Sequence, residues 1–400
     1  MNKEKSDSLS LDNNNFDNLI IYDKLLKGVY LYGYTSPSKI QIKGISSINT
    51  GNDCILQSQS GTGKTATYLL GVMNRLDVTN NNICQGIIIT PTRELTNQVY
   101  EVALCLSKFT DFKIVKCTGG TNINDNKNNL KESNLIIGTL GRLYHMITEK
   151  KIYLDKLKFI VLDEADEILS DGISDKLQDF FNKSLNLKNN NKEEKSNIQV
   201  IFISATMSLN VFNASKKFTF EPIKILLKNT EIIVDLISQF YLDIEIEDQK
   251  FDTLLDLYNL ISTSQAIIFC NTIRKVECLE TRLKENNFAI TAICSNMTQY
   301  DRDEIVKNFR SGDTRILLTT DLLSRGIDIP HVNMVINYDL PPNKETYIHR
   351  IGRCGRFDKK GVAISLVKTQ DPIDIKIFNK LKHFYKMNIS EMPDSIDKYL

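Results

Sequence analysis

Two stretches of the chain set charged and hydroxyl side chains where apolar runs stop. Phe159 to Leu169 reads FIVLDEADEIL, an apolar run that climbs into Asp163, Glu164 and Asp166, with Glu167 close behind. Carboxylates that crowded repel one another unless a cation sits among them. Ser58 to Thr65 reads SQSGTGKT, between the apolar CIL and a helical run from Ala66 to Leu76. Glycines at such a junction let successive backbone N–H groups turn toward phosphate oxygens. Ser60, Gly61, Thr62 and Gly63 would form that cradle. Lys64 is spaced to reach the β- and γ-phosphates, and the Thr65 hydroxyl to hold Mg²⁺. The full pattern carries Gly where Ser58 stands, yet GxGKT between strand and helix is a specific signal.

The two stretches answer each other. A Mg²⁺ beside the phosphate loop is the cation the acids need. Asp163 would end a second strand and hold the metal through water. Glu164 is placed to orient and deprotonate an attacking water. Asp166 reads as a bridge to other parts of the protein, and Glu167 as a solvent-facing helix residue. A simple acidic helix start, stabilised by the helix dipole, is the alternative. The apolar strand ahead and the phosphate loop upstream argue against it.

These residues need elements to hold them. CIL, Gly86–Thr90, Ile114–Cys117, Leu135–Thr139, FIVLD and Val200–Ser204 are short, apolar and rich in β-branched residues, with helical patterns between them. Such runs are strands buried on both faces, and their alternation with helices spells a doubly wound parallel sheet. A second set follows at Ala266–Cys270, Phe288–Ile293, Arg315–Thr320, Met334–Asp339 and Ala363–Val367. The expectation is an α/β chain of two tandem domains, residues 16–230 and 231–400, after a disordered tail at 1–15. Lys228–Asp235 reads as the linker, and LKNNNKEEKSN (Leu187–Asn197) as a solvated loop.

Lys+Arg 50 against Asp+Glu 49 leaves a net charge of +1, so any nucleic-acid surface is local, not a global basic field. The eight cysteines contain no Cys-x-x-Cys pair, which argues against a zinc ribbon and for a reducing compartment. The polar N-terminus lacks the apolar core of a secretory signal, and no run of ~18 apolar residues exists to span a membrane.

Together these motifs resemble the DEAD-box RNA helicases of helicase superfamily two. GYTSPSKIQ (Gly33–Gln41) is similar to that family's Q motif, with Gln41 on the adenine edge and Phe16 as its upstream aromatic on adenine. PTRELT (Pro91, Thr92, Arg93), TGG (Gly119, Gly120) and TLGR (Thr139, Arg142) resemble its RNA-backbone motifs. SAT (Ser204, Thr206) resembles the motif that couples hydrolysis to strand separation. In the second half, IIFCNT with Thr272, the Gln299/Arg302 pair, TTDLLSRGID with Thr320, Gly326 and Asp328, and HRIGRCGR match in order. The chain departs from the family at Leu140, in place of Pro, at Thr96, in place of Ala, and at Cys294-Ser295-Asn296.

The resemblance implies two RecA-like domains, with ATP and Mg²⁺ as cofactors and RNA as partner. Arg353 and Arg356 would act as arginine fingers on the γ-phosphate, Gly326 and Asp328 would meet the nucleotide, and His349 and Arg350 would tie the DEAD acids to the second domain. RNA contacts would fall on phosphates and 2′-hydroxyls, with little sequence preference. The minimal build, and an EMP tail at Glu391–Pro393, resemble the initiation-factor 4A group, including its exon-junction branch. That implies a cytoplasmic or nuclear monomer, held by a scaffold protein that bridges the domains, in translation initiation or mRNA processing. Two alternatives remain: an ATP-gated RNA clamp with slow turnover, and a P-loop ATPase that binds no nucleic acid.

Overall fold

The structure, a computed structural model, describes residues 15–58, 62–77, 79, 83–119, 130–185, 197–226, 237–261, 265–321, 332–354, 360–385 and 389–393. The expected tail, linker and Asn-rich loop lie largely outside them, as do Ser60, Gly61, Gly120, Gly326, Asp328 and Arg356. Contacts divide the chain into two compact units, with the boundary between Leu227 and Lys228.

In the first unit the strands are β1 (Cys54–Gln57), β2 (Gly86–Thr90), β3 (Ile114–Cys117), β4 (Leu135–Thr139), β5 (Phe159–Leu162), β6 (Gln199–Ser204) and β7 (Ile223–Leu226). All pair in parallel, in the order β3-β4-β2-β5-β6-β1-β7. The helices are α1 (Asp23–Leu31), α2 (Lys39–Asn49), α3 (Lys64–Met73), α4 (Arg93–Leu106), α5 (Leu140–Thr148), α6 (Ala165–Ile168), α7 (Asp175–Ser184) and α8 (Leu209–Phe218). Alternate strand residues feed two separate cores. Leu56, Ile88, Ile137, Val161 and Ile201 enter one, and Ile55, Ile87, Ile136, Ile160 and Phe202 enter the other. This is why the central strands carry apolar residues on both faces: both are covered by helices.

The second unit repeats the plan. Its strands are β8 (Ile237–Asp243), β9 (Gln265–Phe269), β10 (Thr291–Ile293), β11 (Ile316–Thr319), β12 (Val332–Asn337), β13 (Gly361–Val367) and β14 (Ile389–Glu391). Their order is β10-β11-β9-β12-β13-β8-β14. Counted from its own first strand, that is the order of the first sheet. The helices are α9 (Gln249–Ile261), α10 (Ile273–Glu285), α11 (Gln299–Ser311), α12 (Lys344–Ile351) and α13 (Pro372–Tyr385).

All six strands expected in the first half are present. In the second half the Phe288–Ile293 run shortens to β10. The end of α10 takes its start: Asn287 turns left-handed (φ 62°) and the Phe288 N–H returns to the Leu283 carbonyl at 3.0 Å. Strands β7, β8 and β14 are additions to the expected set. Leu140 takes the first position of α5, where Pro is favoured rather than required.

Candidate active site

The phosphate loop and the acids meet at the carboxyl ends of β1 and β5. Lys64 opens α3 behind Gly63, whose φ of 92° suits glycine. A Cβ on Gly63 would come within 2.6 Å of the Gln41 amide. Ser58, in place of the usual glycine, shares a 2.7 Å hydroxyl bond with Thr62 and so ties the two ends of the loop together. Lys64 Nζ lies 3.8 Å from Glu164 Oε1 and both side chains are buried. Lys64 Nζ and Glu164 Oε2 make no hydrogen bond among the described residues. Buried charges left short of partners are costly, and a bound anion and cation would satisfy both.

Asp163 follows β5 and is fully enclosed. Its Oδ1 accepts the Glu164 N–H at 2.9 Å and its Oδ2 the Tyr68 hydroxyl at 2.7 Å. Burial, and then the Glu164 charge, push its carboxyl up to about 7. Two buried carboxylates with one lysine between them are short of positive charge, so the donor set fits a hard divalent cation. Glu164 itself is left-handed (φ 47°, ψ 53°). A non-glycine residue there carries strain of about 1–3 kcal/mol, of the kind that collects at functional sites.

The Q-motif residues brace the loop from α2. Ser38 caps that helix in a reciprocal capping box with Gln41, whose Oε1 accepts the Ser38 N–H at 2.8 Å. The Ser38 hydroxyl donates to the Thr62 carbonyl at 2.9 Å. Gln41 thus commits its oxygen to the cap and turns its amide toward the loop. Phe16 departs from expectation. Its ring is fully buried in the core, 6.0 Å from Tyr34, with no face open to a base. The half-buried Tyr34 lies against it and sits inside the quoted GYTSPSKIQ.

Three loops at the ends of β2, β3 and β4 carry the other first-unit residues. Thr92 caps α4, accepting the Leu95 N–H at 3.2 Å, and follows Pro91. Arg93 packs over Gly119, where a Cβ would stand 2.8 Å from the guanidinium. Thr139 precedes α5, and Arg142 lies half-buried on it. Thr96 is accommodated by hydroxyl bonds to Thr90 (2.5 Å) and the Thr92 carbonyl (2.8 Å). Behind them, Thr206 donates to Asp166 Oδ2 at 2.7 Å, while Ser204 bonds the Thr206 backbone. Glu167, expected in solvent, is half-buried.

In the second unit Thr272 caps α10 and stays exposed, as Thr92 caps α4. Arg302 donates to Gln299 at 2.8 Å, so that pair is real within α11. Thr320 is half-buried after β11. Arg350, expected to tie the DEAD acids to this unit, finds several acceptors in its own unit. Its guanidinium is buried and donates to Asp321 (2.6 and 3.0 Å), Asn271 (2.7 Å) and the Asp339 carbonyl (2.8 Å), all of its own unit. Five fixed donors in a dry site need several acceptors, and Asp321 supplies a bidentate one. His349 and Arg353 are buried beside it, with Arg353 Nε on the His349 carbonyl at 3.1 Å.

The second unit's counterpart of the phosphate site is filled by its own side chains. IEIED (Ile244–Asp248) replaces the glycine loop, and Lys250 near the start of α9 pairs with Asp339 at 3.2 Å. Lys275 joins Asp339 and Glu247, each at 2.6 Å, and Lys368 joins Glu247 at 3.1 Å, around a bowl of about 210 Å³.

Comparison with known proteins agrees with this geometry. The DEAD/DEAH box helicase profile matches residues 38–214, and the helicase conserved C-terminal domain profile matches 249–358. The chain therefore belongs to the DEAD/DEAH box helicases. It is 43% identical over 382 residues to the ATP-dependent RNA helicase eIF4A of Emericella nidulans, covering 95% of this chain and 92% of that protein. It is 41% identical to eukaryotic initiation factor 4A of Caenorhabditis elegans, with the same coverage of both. Among solved structures, S. cerevisiae Dbp5 bound to RNA and ADP BeF3 superposes with a TM-score of 0.86 at 34% identity, over 96% of this chain and 97% of that one. The chain is accordingly an ATP hydrolase of the RNA-helicase class.

Proposed function

We propose that this chain couples ATP hydrolysis to RNA binding and local unwinding of short duplexes, in translation initiation or mRNA processing. The observation that carries the reading is the buried Lys64–Glu164 pair with unsatisfied polar atoms, set beside Asp163. Lys64 would hold the terminal phosphates, Thr65 and Asp163 a Mg²⁺, and Tyr34 and Gln41 the adenine. Mg²⁺ when bound would supply charge neutralisation on the phosphoryl oxygens. Glu164 would take a proton from the attacking water. Arg353 and Arg356 would stabilise charge on the γ-phosphoryl group, and Gly326 and Asp328 would meet the nucleotide.

On the RNA side the reading uses Pro91, Thr92, Arg93, Gly119, Gly120, Thr139, Arg142, Thr272, Gln299, Arg302 and Thr320. Asp166, Ser204 and Thr206 would transmit the nucleotide state. The names of the initiation-factor relatives, and the RNA in the Dbp5 structure, support this assignment. We further propose a monomer that works in the cytoplasm with a scaffold protein. The test is separation of a short RNA duplex by the full chain. ATP should drive it, and the Glu164→Gln variant should not. ATP-dependent retention of RNA without separation would favour the clamp instead.

A further inference from the structure

Tyr68 stands one helical turn beyond Thr65 on α3, with no solvent exposure at all. A phenylalanine would fill the same space without a polar atom. A buried phenol needs a partner, and burying one without it costs free energy. The Tyr68 hydroxyl donates to Asp163 Oδ2 at 2.7 Å, a short charge-assisted bond. Tyr68 thus links α3, the helix that also carries Thr65, to the carboxylate that follows β5 inside the first unit.

We propose that Tyr68 is a positioning residue for the metal–nucleotide site, tying Asp163 to the helix that carries Thr65 and fixing the direction in which Asp163 presents itself. The inference rests on the functional reading above. Asp163 Oδ1 is held by the Glu164 N–H and Oδ2 by the phenol, so each oxygen keeps a further lone pair for a cation or its waters. Partners of this kind orient a metal-holding group without touching the metal, and losing one typically weakens metal affinity 10–100-fold.

The test uses Tyr68→Phe in the full chain, with a fluorescent ADP as probe and no hydrolysis required. Affinity in EDTA should stay within about twofold of the native chain. The Mg²⁺ concentration that half-restores tight binding should rise by about tenfold or more. In an Asp163→Asn background the same change should leave the Mg²⁺ titration unmoved. Superimposable titrations for the native and Tyr68→Phe chains would overturn the proposal. So would an equal shift in both backgrounds, because Tyr68 would then act by packing alone. A native chain indifferent to Mg²⁺ would overturn the metal reading itself, and that outcome is visible before any variant is compared.

Discussion

At the residue scale the account turns on a few buried charges. Lys64, Asp163 and Glu164 were legible because phosphate loops and strand-end acids have fixed types and spacing. Tyr68 was not, since a tyrosine in an apolar helix reads as core until its hydroxyl is seen on Asp163. Phe16 failed for the opposite reason: a motif position says nothing about which face of a ring remains open. An arginine in a helicase motif invites a long reach, but the acceptors that Arg350 already has at hand were not legible in the sequence. Changing Glu164 to Gln keeps the shape but removes the base. Turnover should fall at least ~100-fold with nucleotide affinity nearly unchanged, as single-turnover hydrolysis and equilibrium binding would show.

Elements carry the next level. The repeated sheet order was legible as two sets of apolar runs, but the strands β7, β8 and β14 were not. β7 and β14 are edge strands of three or four residues, and β8 mixes apolar with polar residues (ISQFYLD), so none gives a clean run. The repeat also explains why one unit holds a nucleotide site and the other an ion-pair cluster. Where the first unit leaves Lys64 facing Glu164, the second satisfies Lys250 with Asp339 and Glu247. Removing one partner of a buried pair costs about 3–5 kcal/mol. Asp339→Ala should thus lower stability by that order in urea denaturation, while nucleotide affinity in the first unit stays unchanged. Burial alone would raise the Glu247 carboxyl, but bonds from Lys275 and Lys368 and the Lys250 charge hold it at about 2, against 4.5 normally. Its contribution is complete above about pH 4.5 and is lost as pH falls through 2. Urea midpoints measured from pH 5 downward should fall more steeply for the native chain than for Glu247→Gln.

For the whole molecule, the proposed assignment predicts that nucleotide and RNA influence each other's binding, because the residues given to each come from both units. The near-neutral net charge of +1 fits a protein whose hold on RNA depends on nucleotide rather than on a fixed basic face. A non-hydrolysable ATP analogue should tighten RNA binding by about tenfold, within the usual span of coupling free energies, and RNA should tighten the analogue by the same factor. Thr206→Val removes the hydroxyl on Asp166 and should reduce strand separation more than it reduces hydrolysis, a split that parallel ATPase and duplex assays would read.

The most direct test is ATP hydrolysis with and without single-stranded RNA, on the native chain and on Glu164→Gln. The account predicts strong RNA stimulation in the native chain and none in the variant, which still binds ATP. Hydrolysis that RNA leaves unchanged, or that survives in Glu164→Gln, would contradict it.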